Sequence, residues 1–268
     1  MNDQLVLCDV YDGVASVTLN DPAKLNPISA LLQARLREVL AQLRDDKSVR
    51  AMIVTGAGKG FCVGADLGSM GAGGTRSLGE ATADSMDRLS NPIIHEMRDL
   101  PFPVICAVNG PAAGGGVGVA LAADITLAAR SAYFYLPFLP RLGIVPDLGC
   151  TWFLPRLVGR GRALGLALLD ERLSAERAEQ WGLIWQCVDD GALLDRARGL
   201  AARLARLPSH AILEARRAFD SAERHTLSEQ LQYERDRQRE LIDRPAFSEG
   251  VRAFMEKRAG GPKQTAPK

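Results

Sequence analysis

Two glycine-containing stretches carry the residues most suited to chemistry. One is Gly58-Lys59-Gly60-Phe61-Cys62-Val63-Gly64-Ala65-Asp66-Leu67, and the other is Asn109-Gly110-Pro111-Ala112-Ala113-Gly114-Gly115-Gly116-Val117-Gly118. Each follows an apolar, strand-like run, at 51–54 and 104–108. Glycine tolerates unusual φ and lets another group come close to the backbone. A strand that ends in glycines and opens a helix presents unbonded N–H groups at the positive end of the helix dipole. Two such sites facing one point would hold an oxygen that gains negative charge during a reaction. Neither stretch is a nucleotide signature: the first lacks the GK[ST] ending of a P-loop, and the second has Val119 where GxGxxG needs its last glycine. Taken singly, each reads first as a tight turn; together, with the residues around them, they read as a site.

A third stretch runs Leu142-Gly143-Ile144-Val145-Pro146-Asp147-Leu148-Gly149-Cys150-Thr151-Trp152-Phe153-Leu154-Pro155-Arg156-Leu157-Val158-Gly159. Asp147 follows a proline and precedes an apolar helix. It is therefore a good N-cap. It could equally be an acid/base carboxylate at the rim of a hydrophobic pocket made of Phe134, Leu136, Phe138, Leu139 and Leu142, where burial would raise its pKa toward neutrality. Residue type alone gives the cap an edge. His95, His210 and His225 fall on helical stretches with no partners in view, so catalysis is not assigned to them. Cys62 and Cys150 read as small packing thiols. Trp152 and Phe153 read as core, and the glycine-rich stretch 68–79 as either a lid over the site or plain surface loop.

The elements that must position these residues alternate between strand and helix. Strands are expected at 14–19, 50–55, 103–108 and 125–129, and helices at 28–43 and 82–100, the latter interrupted or started near Asn91-Pro92. In the first helix Leu32, Leu36, Val39, Leu40 and Leu43 share one side. This recurrence argues for an α/β core with roughly parallel strands. From 148 onward strand signals nearly vanish. Short helices are expected at 151–158, 162–169 and 174–180, one last strand at 184–188, and helices at 195–207, 210–222, 226–241 and 245–258. The character changes near 190–205. The chain divides accordingly into a core at 1–195, a helical segment at 196–258 and a Gly/Pro/Lys-rich tail at 259–268 that is expected to be disordered. No repeat of fixed period is visible.

Composition excludes several functions. Lys plus Arg is 33 and Asp plus Glu is 32, so the net charge of +1 gives no global attraction to nucleic acid or to an anionic membrane. The five cysteines are scattered and show no CxxC spacing, which suggests neither zinc knuckle nor disulfide framework. The start of the chain lacks the pattern of a signal peptide, and the longest apolar run, 117–123, is too short to span a bilayer. A cytoplasmic protein with reduced thiols is the expectation.

The combination Gly64-Ala65-Asp66-Leu67, Asn109-Gly110 with Gly114-Gly115-Gly116, and Pro146-Asp147 with Gly149 resembles the crotonase (enoyl-CoA hydratase/isomerase) superfamily over about residues 5–258. Within it, the run from Pro146 to Gly159 looks most like the 1,2-epoxyphenylacetyl-CoA isomerases of phenylacetate degradation. The resemblance implies an α/β fold, a crotonase-like ββα superhelix with a C-terminal helical trimerisation segment. It implies that the backbone N–H groups of Ala65 and Gly115 form an oxyanion hole for the thioester carbonyl of an acyl-CoA, with an enolate as intermediate. It implies that Ala23, Lys24 and Leu25, with the backbone of Asp66 and Leu67, cradle coenzyme A. Phe254 and Lys257 would belong to a C-terminal helix that reaches a neighbouring subunit's coenzyme A. Coenzyme A is then part of the substrate, no cofactor is tightly bound, no metal is needed, and the assembly is a homotrimer or homohexamer.

The departures from the family pattern bear on the reaction. Family hydratases use two glutamates to hold and activate water. The first would fall at Gly118, which has no side chain, and the second near Leu139, which is apolar. Asp147 remains, at the position where related isomerases carry their aspartate. One carboxylate can move a proton between carbons without water, so an isomerase of an unsaturated or epoxidised acyl-CoA is favoured. The alternatives are water addition with Asp147 acting alone, and a non-catalytic homologue serving as a binding or scaffold protein.

Overall fold

The computed structural model describes residues 4–68, 76–208 and 210–259, the last three of these by backbone alone. The middle of the stretch 68–79 and the tail beyond 259 lie outside the described residues. The strands in chain order are β1 (Val6–Tyr11), β2 (Val14–Leu19), β3 (Ala51–Gly56), β4 (Val104–Val108), β5 (Ala112–Ala113), β6 (Ile125–Ala129), β7 (Tyr133–Tyr135), β8 (Arg172–Ser174) and β9 (Gln186–Val188). The helices are α1 (Ala30–Asp45), α2 (Leu78–Ser85), α3 (Asn91–Arg98), α4 (Gly115–Leu121), α5 (Cys150–Leu168), α6 (Ala175–Trp181), α7 (Leu193–Leu204), α8 (Ala211–Ala222), α9 (Leu227–Ile242) and α10 (Pro245–Ala259).

A six-stranded sheet runs in the order β1-β2-β3-β4-β6-β9, and a second, three-stranded sheet runs β5-β7-β8. From β2 to β9 the large sheet is parallel. Its centre is apolar on both faces: every residue of β4 is buried, as is the run from Ala51 to Val54 in β3. That is the signature of a parallel sheet covered on both sides. β1, however, pairs with β2 antiparallel, which makes the sheet mixed. The cause is the two-residue turn Asp12-Gly13, both at positive φ (49° and 73°), the geometry that joins antiparallel strands most tightly.

Helix α1 buries Leu32, Leu36, Val39, Leu40 and Leu43, as its periodicity predicts. The Ser29 hydroxyl caps it, accepting the Leu32 N–H at 3.2 Å. Between α2 and α3 the chain does not break at Asn91-Pro92; a π-helical turn, Met86–Ser90, carries it through. Long α5 is two helices meeting at a kink at Gly159 (φ 78°, ψ 156°), as the sequence suggested. α7 packs on β3 and β4.

The described residues up to 208 and those from 210 onward form two compact units. The second is the helical group α8–α10. There Arg237 grips Glu214 through two hydrogen bonds of 2.9 and 2.8 Å, and Thr226 with Glu229 forms a capping box at the start of α9.

Candidate active site

The parallel strands β3 and β4 end side by side, and the two glycine stretches follow their carboxyl ends, where open parallel sheets place their ligands. The loop after β3 is held by two asparagines. Asn26 is fully buried. Its amide donates to the carbonyls of Ala57 (3.0 Å), Gly60 (2.8 Å) and Phe61 (3.2 Å), and its oxygen accepts the Asp21 N–H (2.8 Å). Asn109, directly after β4, accepts the Gly56 N–H (3.0 Å) and donates to the carbonyls of Gly58 (3.0 Å) and Gly60 (3.2 Å). Cys62 then bridges to Ala112 of β5 in parallel pairing. Neither asparagine's role was read from the sequence. The signal for Asn26 is its type before Pro27: asparagine tolerates the left-handed backbone, and here φ is +57°.

This clamp sets the two stretches against one another. Gly64 has φ +82°, and a Cβ on it would stand 3.0 Å from the Gly115 nitrogen and 2.9 Å from the Ala113 carbonyl oxygen. Only glycine allows that approach. The Gly64 carbonyl accepts the Ile28 N–H at 2.7 Å, and the Gly114 N–H goes to the Tyr135 carbonyl at 2.9 Å. The N–H groups of Ala65 and Gly115 donate to no acceptor among the described residues. Ala65 is exposed and Gly115 is buried at the first turn of α4.

Asp147 is not the cap of α5. The N-cap is Gly149, and no side chain caps the helix; the Cys150 N–H bonds instead to the Asp147 main-chain carbonyl at 2.9 Å. The Asp147 carboxylate points elsewhere. Its Oδ1 is buried, has no hydrogen-bond partner among the described residues, and lies 3.4 Å from where a Cβ on Gly115 would stand. The same point is 3.2 Å from Cδ1 of Ile28, and it overlaps Cδ1 of Leu148. Burial, partly offset by a hydrogen bond from the residue's own backbone, pushes the Asp147 carboxyl above its ordinary value of 3.8. Gly118, which offers no second carboxylate, has no room for a side chain. A Cβ on Gly118 would overlap the Leu148 carbonyl oxygen and stand 2.8 Å from the Leu148 Cβ.

The pocket wall is only partly as expected. Phe134, Leu136 and Phe138 are buried, whereas Leu142 is 44% exposed. Phe138, adjacent to Leu139, puts its ring 3.8 Å from the Cβ position of Gly114. A polar latch holds this wall: the Tyr135 hydroxyl donates to Asp170 at 2.5 Å, and Arg141 pairs with the same carboxylate at 2.5 Å. The tyrosine hydrogen bond and then the Arg141 charge hold Asp170 below the usual carboxylate range. Phe153 is core, but Trp152 is 38% exposed rather than core. It lies between the guanidinium groups of Arg98 (5.1 Å) and Arg156 (4.1 Å).

Of the residues expected around coenzyme A, Lys24 and Asp66 come together in an ion pair of 3.2 Å. Ala23 precedes Lys24 in a short helical turn, Pro22–Lys24, and Leu25 follows with φ +60°, its Cβ 2.9 Å from the Cβ position of Gly60. Leu67 is 58% exposed beside them. Phe254 is exposed on α10 of the second unit, and the Lys257 side chain lies outside the described residues. Cys62 and Cys150 are buried as expected, and burial pushes the Cys62 thiol up to about 12, far from a nucleophile's range. His225 faces Gln230 at 3.0 Å. Among the described residues no group of three or more His, Cys, Asp or Glu could hold a metal, and no helix is long and apolar enough to cross a membrane.

Comparison with known proteins accords with this geometry. The sequence model of the family described as enoyl-CoA hydratase/isomerase matches residues 9–264. The 1,2-epoxyphenylacetyl-CoA isomerase of Escherichia coli (strain K12) is 47% identical over 257 residues, covering 96% of this chain and 97% of its own. A Rhodobacter capsulatus protein named "Probable enoyl-CoA hydratase" is 40% identical over 258 residues, covering 96% and 97%. The crystal structure of an enoyl-CoA hydratase from Bacillus anthracis superposes with a TM-score of 0.87 at 33% identity, covering 95% of this chain and 97% of that one. The resemblance carried by the three motifs is borne out.

Proposed function

We propose that this chain, which belongs to the enoyl-CoA hydratase/isomerase family of enzymes, is an acyl-CoA isomerase that moves a proton between carbons of an unsaturated or ring-epoxide acyl-CoA. The observation that carries the proposal is the unpartnered Oδ1 of Asp147 facing the space over Gly115, with no room for a side chain at Gly118. In this reading the Ala65 and Gly115 N–H groups hold the thioester oxygen as it gains charge. Each such donor contributes about 3 kcal/mol to the transition state. Asp147 takes a proton from one carbon of the acyl chain and returns it to another, while the electron pair rests on the thioester oxygen as an enolate. A carboxylate whose pKa is raised by burial suits this shuttle, because it both accepts and gives back the proton.

Coenzyme A enters as part of the substrate and is held by Ala23, Lys24, Leu25, Asp66 and Leu67, with Phe254 and Lys257 from another copy. The helical segment at the C-terminus joins three copies into a trimer or two trimers into a hexamer. Support for this comes from the exposed apolar residues Phe219, Leu227, Leu231, Phe247, Val251 and Phe254, a set that a lone chain would leave in water. The cytoplasm is the proposed location. The enzyme names of the relatives weigh against a scaffold.

The similarity to a named hydratase keeps water addition as the second reading. A panel of acyl-CoA esters, including 1,2-epoxyphenylacetyl-CoA and matched 2- and 3-enoyl-CoA pairs, separates the two. Mass spectrometry finds a product of unchanged mass if the isomerase reading is right. A product that has gained water as the main species overturns it.

A further inference from the structure

Leu148 holds a left-handed backbone, φ +48°, though it is neither glycine nor asparagine. Bulky residues adopt that region only where their surroundings fix it. Here the surroundings are the site itself. The Leu148 carbonyl and Cβ press on Gly118, and its Cδ1 fills the space over Gly115 that Asp147 Oδ1 and Ile28 Cδ1 also face. The side chain is buried. Asparagine would meet the backbone demand more easily, so the backbone alone does not account for a leucine.

We infer that Leu148 is a positioning residue that keeps water away from Asp147 and commits its carboxylate to proton transfer between carbons. The inference rests on the isomerase reading above. Hydration of a 2-enoyl-CoA by one carboxylate would need a water against Asp147. Asp147 would take one proton from that water, and the hydroxide oxygen would bond to the β-carbon. The double-bond pair would move onto the thioester oxygen, and Asp147 would return the proton to the α-carbon to give a 3-hydroxyacyl-CoA. The Leu148 and Ile28 methyl groups converge with Asp147 Oδ1 on the space over Gly115, and in this reading they deny it to such a water. The Leu148 carbonyl also blocks the neighbouring helix from supplying a second carboxylate at position 118.

The test compares full-length wild type with L148A, L148N and L148M. Each is incubated with a 2-enoyl-CoA or its 3-enoyl isomer in oxygen-18 water, and the ratio of water adduct to isomer is read by mass spectrometry. L148A and L148N should raise the water-adduct share by about tenfold or more, and L148M should restore the wild-type ratio. L148N relieves the backbone while wetting the site, so a melting temperature at or above wild type separates wetting from misfolding. A folded L148N with an unchanged ratio, or an L148M that behaves like L148A, overturns the inference.

A second readout does not depend on the reaction. In the free proteins, the Asp147 carboxyl, assigned with D147N, is titrated by carbon-13 NMR. It should titrate above the ordinary range in wild type and L148M and fall toward that range in L148A and L148N. The helix Gly115–Leu121 brings no titratable side chain to it, and the thiol that feels its charge, Cys150, is buried and pushed up. A wild type that mainly adds water defeats the isomerase reading; an Asp147 titration indifferent to residue 148 defeats this one.

Discussion

The Oδ1 atom of Asp147 lies 3.4 Å from where a Cβ on Gly115 would stand, and among the described residues nothing donates a hydrogen bond to it. A buried, unpaired carboxylate oxygen is costly to keep. Its position beside the free N–H of Gly115 is what the proposed proton shuttle requires.

Asp147→Asn keeps the shape of the side chain and removes its basicity. Turnover should fall by about 10²–10⁴-fold, while the dissociation constant for a non-reactive acyl-CoA stays within about twofold, since the thioester and coenzyme A contacts proposed above do not use this carboxylate. Steady-state kinetics and calorimetric titration check the two halves. Near-wild-type turnover would remove Asp147 from the mechanism.

The pH dependence follows from the same burial. Asp147 must be ionised to take a proton, and its carboxyl is pushed above 3.8. The acid limb of kcat/KM should therefore fall off at a pH above that of an ordinary aspartate, and the limb should vanish in D147N. For stability the sign is opposite. A carboxyl with a raised folded-state pKa stabilises the fold below its unfolded value, and that contribution is lost as pH rises through the folded value. D147N should therefore melt above wild type at neutral pH, and the gap should close below pH 3.8. Calorimetric melting curves across pH would show it.

Gly118→Ala tests the close approach of Leu148. The added methyl has no room against the Leu148 carbonyl, and overpacking against backbone costs about 3 kcal/mol, or roughly 6–12 °C in melting temperature. A variant as stable as wild type would mean that the two segments part easily.

Asn26→Ala removes three hydrogen bonds donated to the loop that leads to Gly64 and one accepted from the Asp21 N–H. Leaving those buried groups unpaired should cost about 3 kcal/mol in a denaturant titration. Turnover should fall with it at temperatures where the variant remains folded, because the loop that carries Ala65 is loosened.

Much of this arrangement is written in local pattern. Strands β2 and β6 fall where alternation and apolar runs put them, and the apolar side of α1 is the one its spacing marks. Strand β1 is less legible, because five of its six residues are not buried and its pattern is weak; the Asp12-Gly13 turn was the available signal. β7 and β8 are three residues each and owe their pairing to one another rather than to propensity. In the site, the glycine stretches and Asp147 were visible by type, but the choice between cap and unpaired carboxylate for Asp147 was not. That choice depends on the left-handed turn at Leu148 and Gly149, which directs the carboxylate toward Gly115. Asn26 and Asn109 escaped notice because their partners are backbone carbonyls, which leave no mark in a sequence.

The most direct measurement is a crystal structure with a bound, slowly reacting acyl-CoA. The account predicts the thioester oxygen at about 2.7–3.1 Å from both the Ala65 and the Gly115 nitrogens, with the Asp147 carboxylate against the acyl carbons. A thioester oxygen held by other groups, or reached by only one of the two N–H donors, would contradict it.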